Sequence, residues 1–343
     1  MHFSIIATAI LANVIAAAPF TYPLANGFPK VNMTTLEEIF KLAGGTTPNV
    51  SPPATLTNSG VQTLQLIAAN ELFEIAYFTE LLHNISFGIP GYRADQYIID
   101  SLTAIVNQEQ VHALAANGVL SHANKEAIQP CQYDFPVDNF EDAVLLAQIF
   151  TDVVLGVLPL AQSQFSSNGG DEDVLIPVVG SMIAQKGEQN GLYRFLQKKV
   201  AAAAPMLTGG SPQFAFSAIS QFIVPGSCPN INTIGLEAFP PLTVETVPKA
   251  MNGTQLFSVK GSIPASNVSM VYISGQNIPV TVPISNINSN GGKTFFFAPF
   301  PYDSGFARGL TIGALVSGSM PSFNSSADVA AATFYGPALI EVN

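Results

Sequence analysis

Charge is scarce in this chain. Only 10% of its 343 residues are Asp, Glu, Lys or Arg, and the 12 basic ones are scattered rather than clustered. With a formal net charge of −11, there is no basic stripe to neutralise phosphates, which excludes nucleic acid as a partner. Cysteine is nearly missing: Cys131 and Cys228 are the only two, which excludes a CxxC redox site and a zinc finger. Beyond His2, histidine is limited to His83, His112 and His122. The sequence has no nucleophile elbow, no phosphate loop and no supportable Ser-His-Asp arrangement. Hydrophobic residues, by contrast, make up 48% of the chain, which excludes a disordered polymer and supplies a sizeable core. At about 150 residues per domain, the length predicts two domains.

Residues Phe3–Ala18 form an apolar run ending in small residues. This reads as a signal peptide over 1–18, cut after Ala17 or Ala18. The run is shorter than the ~20 residues a membrane span needs. No second long apolar run is free of glutamate, proline or glycine, so no membrane span is expected after signal removal. The expected destination is secretion, to the extracellular space or the cell wall. Six N-x-S/T sequons, at Asn32, Asn49, Asn84, Asn252, Asn267 and Asn324, are candidate glycosylation sites in that setting. In an oxidising compartment Cys131 and Cys228 either form one disulfide or remain two buried thiols. Closing so long a loop would stabilise the fold by ~4 kcal/mol in the chain-entropy picture.

Residues 19–56 read as an extended N-terminal arm holding one short helix, Thr34 to Leu42. Four long helical patterns follow: about 57–85, 94–117 with Gly118 as its stop, 139–164, and 174–203 with Pro177 in its first turn. They make a bundle over 57–204, with the long connection between the second and third. Asp171, Glu172 and Asp173 suit the positive end of the fourth helix, and Lys198 with Lys199 suit its C-terminal half. A linker at 205–230 carries the short helix Pro212–Phe222 and Cys228. From 231 to 343, short β-branched and aromatic segments such as QLFSVKGSI, VSMVYISG, KTFFFAPF and LTIGALVSG predict a small immunoglobulin-like β-sandwich. The fold class expected is α+β, multidomain: a helical bundle followed by a C-terminal β-sandwich.

The bundle carries acidic residues on faces that should be apolar. Glu74 lies in LIAANELFEIAYFTELL, and Glu109 with His112 in LTAIVNQEQVHALAANG. Residues three apart share a helix face, so Glu109-x-x-His112 aims a carboxylate and an imidazole at one spot. Glu71 and Glu80 read as solvent-facing or interhelical, with the surface favoured, and Tyr77 and Tyr193 as core.

The segments NELFEIAYF, IVNQEQVHALAANG, FTDVVLGV and IAQKGEQNGLYRF, with the leader YPLANGFP, resemble the ferritin-like family that contains plant and bacterial desiccation-related proteins. The likeness is greatest to its fungal branch of secreted stress-response and late sexual-development proteins, and covers about residues 25–230. The resemblance implies a ferritin-like four-helix bundle, in which a complete site takes a glutamate from each of two helices and a Glu-x-x-His pair from each of the others. Carried over, Glu74 matches the single glutamate of the first long helix, and Glu109 with His112 the first pair. The third helix offers Thr151 at the ligand position, with Asp152 rotated off it. On the fourth, Glu188 takes the glutamate place with Gly191 where histidine is expected, or Gln185 and Glu188 take the two places. The expected metal set is therefore Glu74, Glu109, His112 and Glu188, with Gln185. It suits a single Mn or Fe ion, a weakened pair, or no metal, in which case Gln185, Thr151 or a tyrosine would have to satisfy the buried carboxylates.

Two functions follow as expectations. One is a secreted protein with a structural or protective role at the cell surface, associated by resemblance with starvation, desiccation or sexual development, whose β-domain meets a cell-wall glycan or a protein partner. The other is an extracellular Mn- or Fe-dependent oxidase or peroxide-removing enzyme. Iron storage ranks below both, because the β-domain and glycans obstruct cage assembly.

Overall fold

A computed structural model describes residues 24–246, 249–264 and 266–343; the expected signal peptide lies outside them. Helix α1, Met33–Ala43, is capped by Asn32, whose side chain accepts from the Thr35 amide, and ends at Gly44 with φ 76°. The bundle proper consists of α2 (Asn58–Ser86), α3 (Gln96–His122), α4 (Phe140–Asn168) and α5 (Leu175–Leu196). Thr57, Asp95 and Asn139 cap the first three by accepting from amides three residues on.

Three features of the helices differ from the sequence reading. Gly118 sits exposed inside α3, which continues to His122; at an exposed position glycine costs only ~1 kcal/mol, too little to stop a helix whose other face is buried. Helix α5 stops at Leu196, and Lys198 takes φ 59° beyond it. Lys198 and Lys199 therefore lie outside the helix, where Lys199 donates to the side-chain Oε1 of Gln148 at 2.9 Å. Glu172 serves a different helix from the one expected: it is 3% exposed, and its Oε1 accepts from the Thr57 amide at 2.6 Å, at the start of α2. Gly60 makes room for it, since a Cβ there would strike the Glu172 carboxylate.

The long α3–α4 connection crosses the bundle end. Tyr133 pairs with Ile223, and the Cys131–Cys228 disulfide ties the connection to the segment that follows α6, Pro212–Ser220. Phe135 of the connection and Phe150 of α4 each meet Phe73 and Tyr77 of α2 edge-on, with centroids 4.9 to 5.6 Å apart. By length and composition α4 could cross a membrane, but 78% of its apolar window is buried inside the protein.

The C-terminal region is a sandwich of two antiparallel sheets. Strands β1 (Leu242–Val244), β2 (Gly253–Lys260), β5 (Ser285–Asn290) and β6 (Lys293–Phe300) form the first, in the order β1-β2-β6-β5. Strands β3 (Val268–Ser274), β4 (Val280–Pro283), β7 (Gly309–Ser317) and β8 (Thr333–Val342) form the second, in the order β4-β3-β7-β8. A short helix α7, Ser326–Ala332, precedes β8. Between the sheets pack Phe257, Phe296, Phe300, Met270, Tyr272 and Ile340. The other face of the second sheet, Val271, Ile273, Ile312 and Ala314, packs on Val153 and Val157 of α4 and Phe214 of α6. A strand buried on both faces should read as one apolar run, and LTIGALV does.

Gly156 of α4 marks the closest approach of the two parts. The Gly210 amide donates to its carbonyl at 3.0 Å, and a Cβ on Gly156 would strike the Thr208 carbonyl. A buried polar patch seals the same junction: Asp152 accepts from Asn190 at 2.7 Å and Gln148 at 3.3 Å, while Gln148 also donates to Glu341 of β8 at 2.7 Å.

Candidate functional site

Three helices supply the centre of the bundle, each through a pair three residues apart. Helix α2 gives Glu71 and Glu74, α3 gives Glu109 and His112, and α5 gives Lys186 and Gln189. Glu71, Glu74, Glu109 and Lys186 are 0% exposed; the His112 side chain is 13% exposed.

Lys186 is the hub. Its Nζ lies 3.0 Å from Glu71 Oε2, 2.7 Å from Glu74 Oε2 and 2.8 Å from Glu109 Oε2. An ammonium has three N–H donors, and here each has its own carboxylate. Gln189 donates to Glu109 Oε1 at 2.5 Å, and Asn70 to Glu74 Oε1 at 2.8 Å. His112 Nδ1 stands 2.8 Å from Glu109 Oε2 and 3.4 Å from Glu71 Oε2. Glu71 Oε1 is buried with no partner among the described residues.

The charges follow from this geometry. Burial works to lower the Lys186 ammonium, but Glu109, Glu71 and Glu74 outweigh it and hold its pKa well above the usual lysine value. Burial likewise opposes a charged His112, and Glu109 overrides it, pushing the imidazole up to about 9. For Glu109 the desolvation cost is overcome by Lys186 and His112, so its carboxyl falls well below the usual range. In Glu74 desolvation wins over Lys186 and raises the carboxyl to about 8; Glu71 is raised for the same reason. Two cations thus face three carboxyls, and one proton retained by the Glu71–Glu74 pair makes the cluster neutral. Both Glu74 oxygens accept hydrogen bonds, whereas Glu71 Oε1 has no partner among the described residues.

Of the expected ligand set, Glu74, Glu109 and His112 come together. Glu188 does not: it is exposed on the outer side of α5. Two residues along a helix turn it by about 200° from Lys186, which faces inward. Gln185 is also outside the cluster, donating to Gln108 of α3 at 2.6 Å. Thr151 is buried, and its hydroxyl has no partner among the described residues, so it satisfies no carboxylate. The Tyr77 hydroxyl donates to the Ala143 carbonyl at 2.6 Å, as a core tyrosine should, whereas that of Tyr193 has no partner among the described residues. Glu71 is interhelical and not solvent-facing: it is 0% exposed, within a stretch of α2 buried from Leu64 to Phe78. The signal for the three members that the sequence reading misses is spacing: Glu71 to Glu74 and Lys186 to Gln189 repeat the three-residue step of Glu109 to His112.

Residues 59–174 match the family model of the ferritin-like domain. Over that span the bundle is similar to a ferritin-like domain. The matched span takes in α2, α3 and α4 and ends before α5, the helix that brings Lys186 and Gln189. A search among curated proteins finds no match.

Ferritin-like domains of the di-iron type hold metal with four glutamates and two histidines, and this domain has a carboxylate–histidine group of comparable reach. Glu71, Glu109 and His112 place ligand atoms within 4.8 Å of one another. The complete donor set does not fit a dinuclear centre, however, because Lys186 and Gln189 bring an ammonium and an amide as the second i, i+3 pair, and α4 adds no carboxylate to the cluster among the described residues. A divalent ion bound by Glu71 and Glu109 would share their oxygens with a buried ammonium, and two cations at that separation repel strongly in a low-dielectric interior.

Proposed function

We propose that this is a secreted ferritin-like protein with a structural or protective role at the cell surface or wall, its bundle centred on a built-in ammonium in place of a metal ion. The observation that carries the reading is Lys186 Nζ, within 3.0 Å of three fully buried carboxylates. A lysine so placed supplies the cation that such a carboxylate cluster requires, and leaves no exchangeable position for oxygen or peroxide.

Secretion is supported by the apolar leader over 1–18, by the Cys131–Cys228 disulfide and by sequon exposure. Asn32, Asn49, Asn252, Asn267 and Asn324 are exposed, and Asn84 is half-buried. The association with desiccation, starvation and sexual development rests on the resemblance. A cell-wall glycan or protein partner would meet the sheet β1-β2-β6-β5, since the second sheet is packed on the bundle.

The second reading is an extracellular Mn- or Fe-dependent oxidase or peroxide-removing enzyme, favoured by the Glu71, Glu109 and His112 grouping. Elemental analysis of the protein purified without chelator decides between the two. The expected result is far less than one Mn or Fe per chain, with thermal stability unchanged by EDTA. Near-stoichiometric Mn or Fe that disappears in His112→Ala would overturn the scaffold reading in favour of the enzyme.

A further inference from the structure

A cleft of about 330 Å³ lies between α2 and α4, a volume within the ~300–1,000 Å³ usual for small-molecule sites. Its walls are Leu66, Ile67, Val154, Val157, Leu158 and Ala161, all branched aliphatic or small, with no aromatic ring among the lining residues. Its outer rim is polar, with Thr63, Ser163, Gln164 and Ser167 half-buried or exposed. Glu71 and Asn70, 0% and 7% exposed, are the most deeply buried polar residues of its lining. Glu71 Oε2 is taken by Lys186 and His112, while Oε1 is buried without a partner. An apolar slot ending on one unsatisfied polar atom is the form of a site for an elongated molecule with a single polar end.

We infer that this cleft binds an uncharged aliphatic molecule ending in a hydroxyl, its chain along Leu66, Ile67, Val154 and Leu158 and its hydroxyl at Glu71 Oε1. The charge of the head follows from the cluster behind it. An anionic head would approach Glu71, Glu74 and Glu109 at close range, and a cationic head would face Lys186 and His112, whose charges already balance the carboxylates. A hydroxyl both donates and accepts, so it pairs with Glu71 Oε1 whether or not that oxygen carries a proton. The absence of rings in the lining favours a flexible chain over a flat molecule that would stack. The inference rests on the reading of Lys186 as the resident cation, because a metal held by Glu71 would compete for the same carboxylate.

Isothermal titration of the full-length protein with decan-1-ol, decanoate and decylamine, each below its aggregation limit, tests it. Saturable binding of the alcohol at one site per chain is expected, with the acid and the amine at least about tenfold weaker, the factor set by one mismatched polar contact. Thr63→Trp on α2 and Ser163→Trp on α4, both at the rim and away from the core, should each abolish alcohol binding while the melting temperature stays close to that of the parent. Absence of saturable alcohol binding, equal binding of all three probes, or alcohol binding unchanged by both plugs would overturn the inference. Metal measured on the same preparation separates the two readings. Stoichiometric Mn or Fe overturns the role given to Lys186, whereas a metal-free protein that ignores decan-1-ol overturns only the cleft.

Discussion

Lys186 sets the energetics of the bundle centre at the scale of a single residue. Three carboxyls at 0% exposure are tolerable only because its three donors and the Gln189 and Asn70 amides meet them. Removing one partner of such a buried network costs more than the network contributes, typically ~3–5 kcal/mol, because the remaining charges are left uncompensated. Lys186→Met, nearly the same volume without charge, should therefore lower unfolding free energy by about that amount at pH 7.5. The deficit should shrink toward pH 4.5, where Glu71 and Glu74 carry protons without help. Urea denaturation at the two pH values checks this, and a variant as stable as the parent at pH 7.5 would remove Lys186 from the centre. Part of this cluster is legible in the amino-acid sequence. Glu74, Glu109 and His112 declare themselves as polar residues in apolar helices, and the three-residue step links the latter two. Lys186 is harder to see because a lysine in KGEQ looks like a solvated residue beside an acidic one, and Glu188 fits a ligand set by chemical type while failing it by helix face. The buried stripe Met182, Lys186, Gln189, Asn190 and Tyr193 follows helical spacing and places Glu188 outside.

At the scale of elements, the periodicity of the sequence carries α2 and α4 close to their observed limits, and the β-branched runs locate β2, β3, β6 and β7. What it leaves out are β1, β5 and α7, which are short or polar and owe their form to neighbours. All six residues of β5, for instance, are exposed, and pairing with β6 alone keeps it extended. Gly156 shows how a local preference yields to such a neighbour. Alanine in place of a helix glycine ordinarily gains up to about 1 kcal/mol. Here the new Cβ would meet the Thr208 carbonyl, and that segment is pinned by Gly210 donating to Gly156 and by the Gly275 amide donating to Thr208 Oγ1 at 2.8 Å. Overpacking against a fixed backbone costs ~1–3 kcal/mol, so Gly156→Ala should be net destabilising. A rise in melting temperature by calorimetry would contradict the tight crossing. The disulfide acts on the same elements from the far end: it closes a loop with a separation of 97 residues, and Cys131→Ser with Cys228→Ser should cost ~2–5 kcal/mol in denaturant midpoint analysis. A double variant indistinguishable from the parent would mean that the Tyr133–Ile223 pairing and the aromatic packing hold the α3–α4 connection without the covalent link.

At the scale of the whole molecule, the sandwich and the bundle share a buried interface: the second sheet is buried on both faces and Glu341 of its last strand lies in the Asp152 patch. A perturbation of the bundle centre should therefore register in a single transition, and pH is the perturbation whose sign can be worked out. Burial raises Glu80, with a contribution from Asp134, to about 7, and desolvation raises Glu74 to about 8. An acid whose folded pKa exceeds its unfolded value contributes stability that is full below the unfolded value of 4.5 and is lost as pH rises through the folded one. His112, held at about 9 against an ordinary 6.5 by Glu109, has the same sign, its contribution being full below 6.5 and lost through about 9. Glu109 alone among these has the opposite sign, but its depressed pKa makes its contribution vanish only well below pH 4.5. The consequence is a protein most stable in mildly acid solution that weakens steadily from about pH 5 to pH 9. Scanning calorimetry across that range should show one transition whose midpoint falls toward the alkaline end, less steeply in His112→Gln than in the parent. A midpoint that is flat or rises with pH would mean that the buried carboxyls and the imidazole do not titrate as their surroundings require.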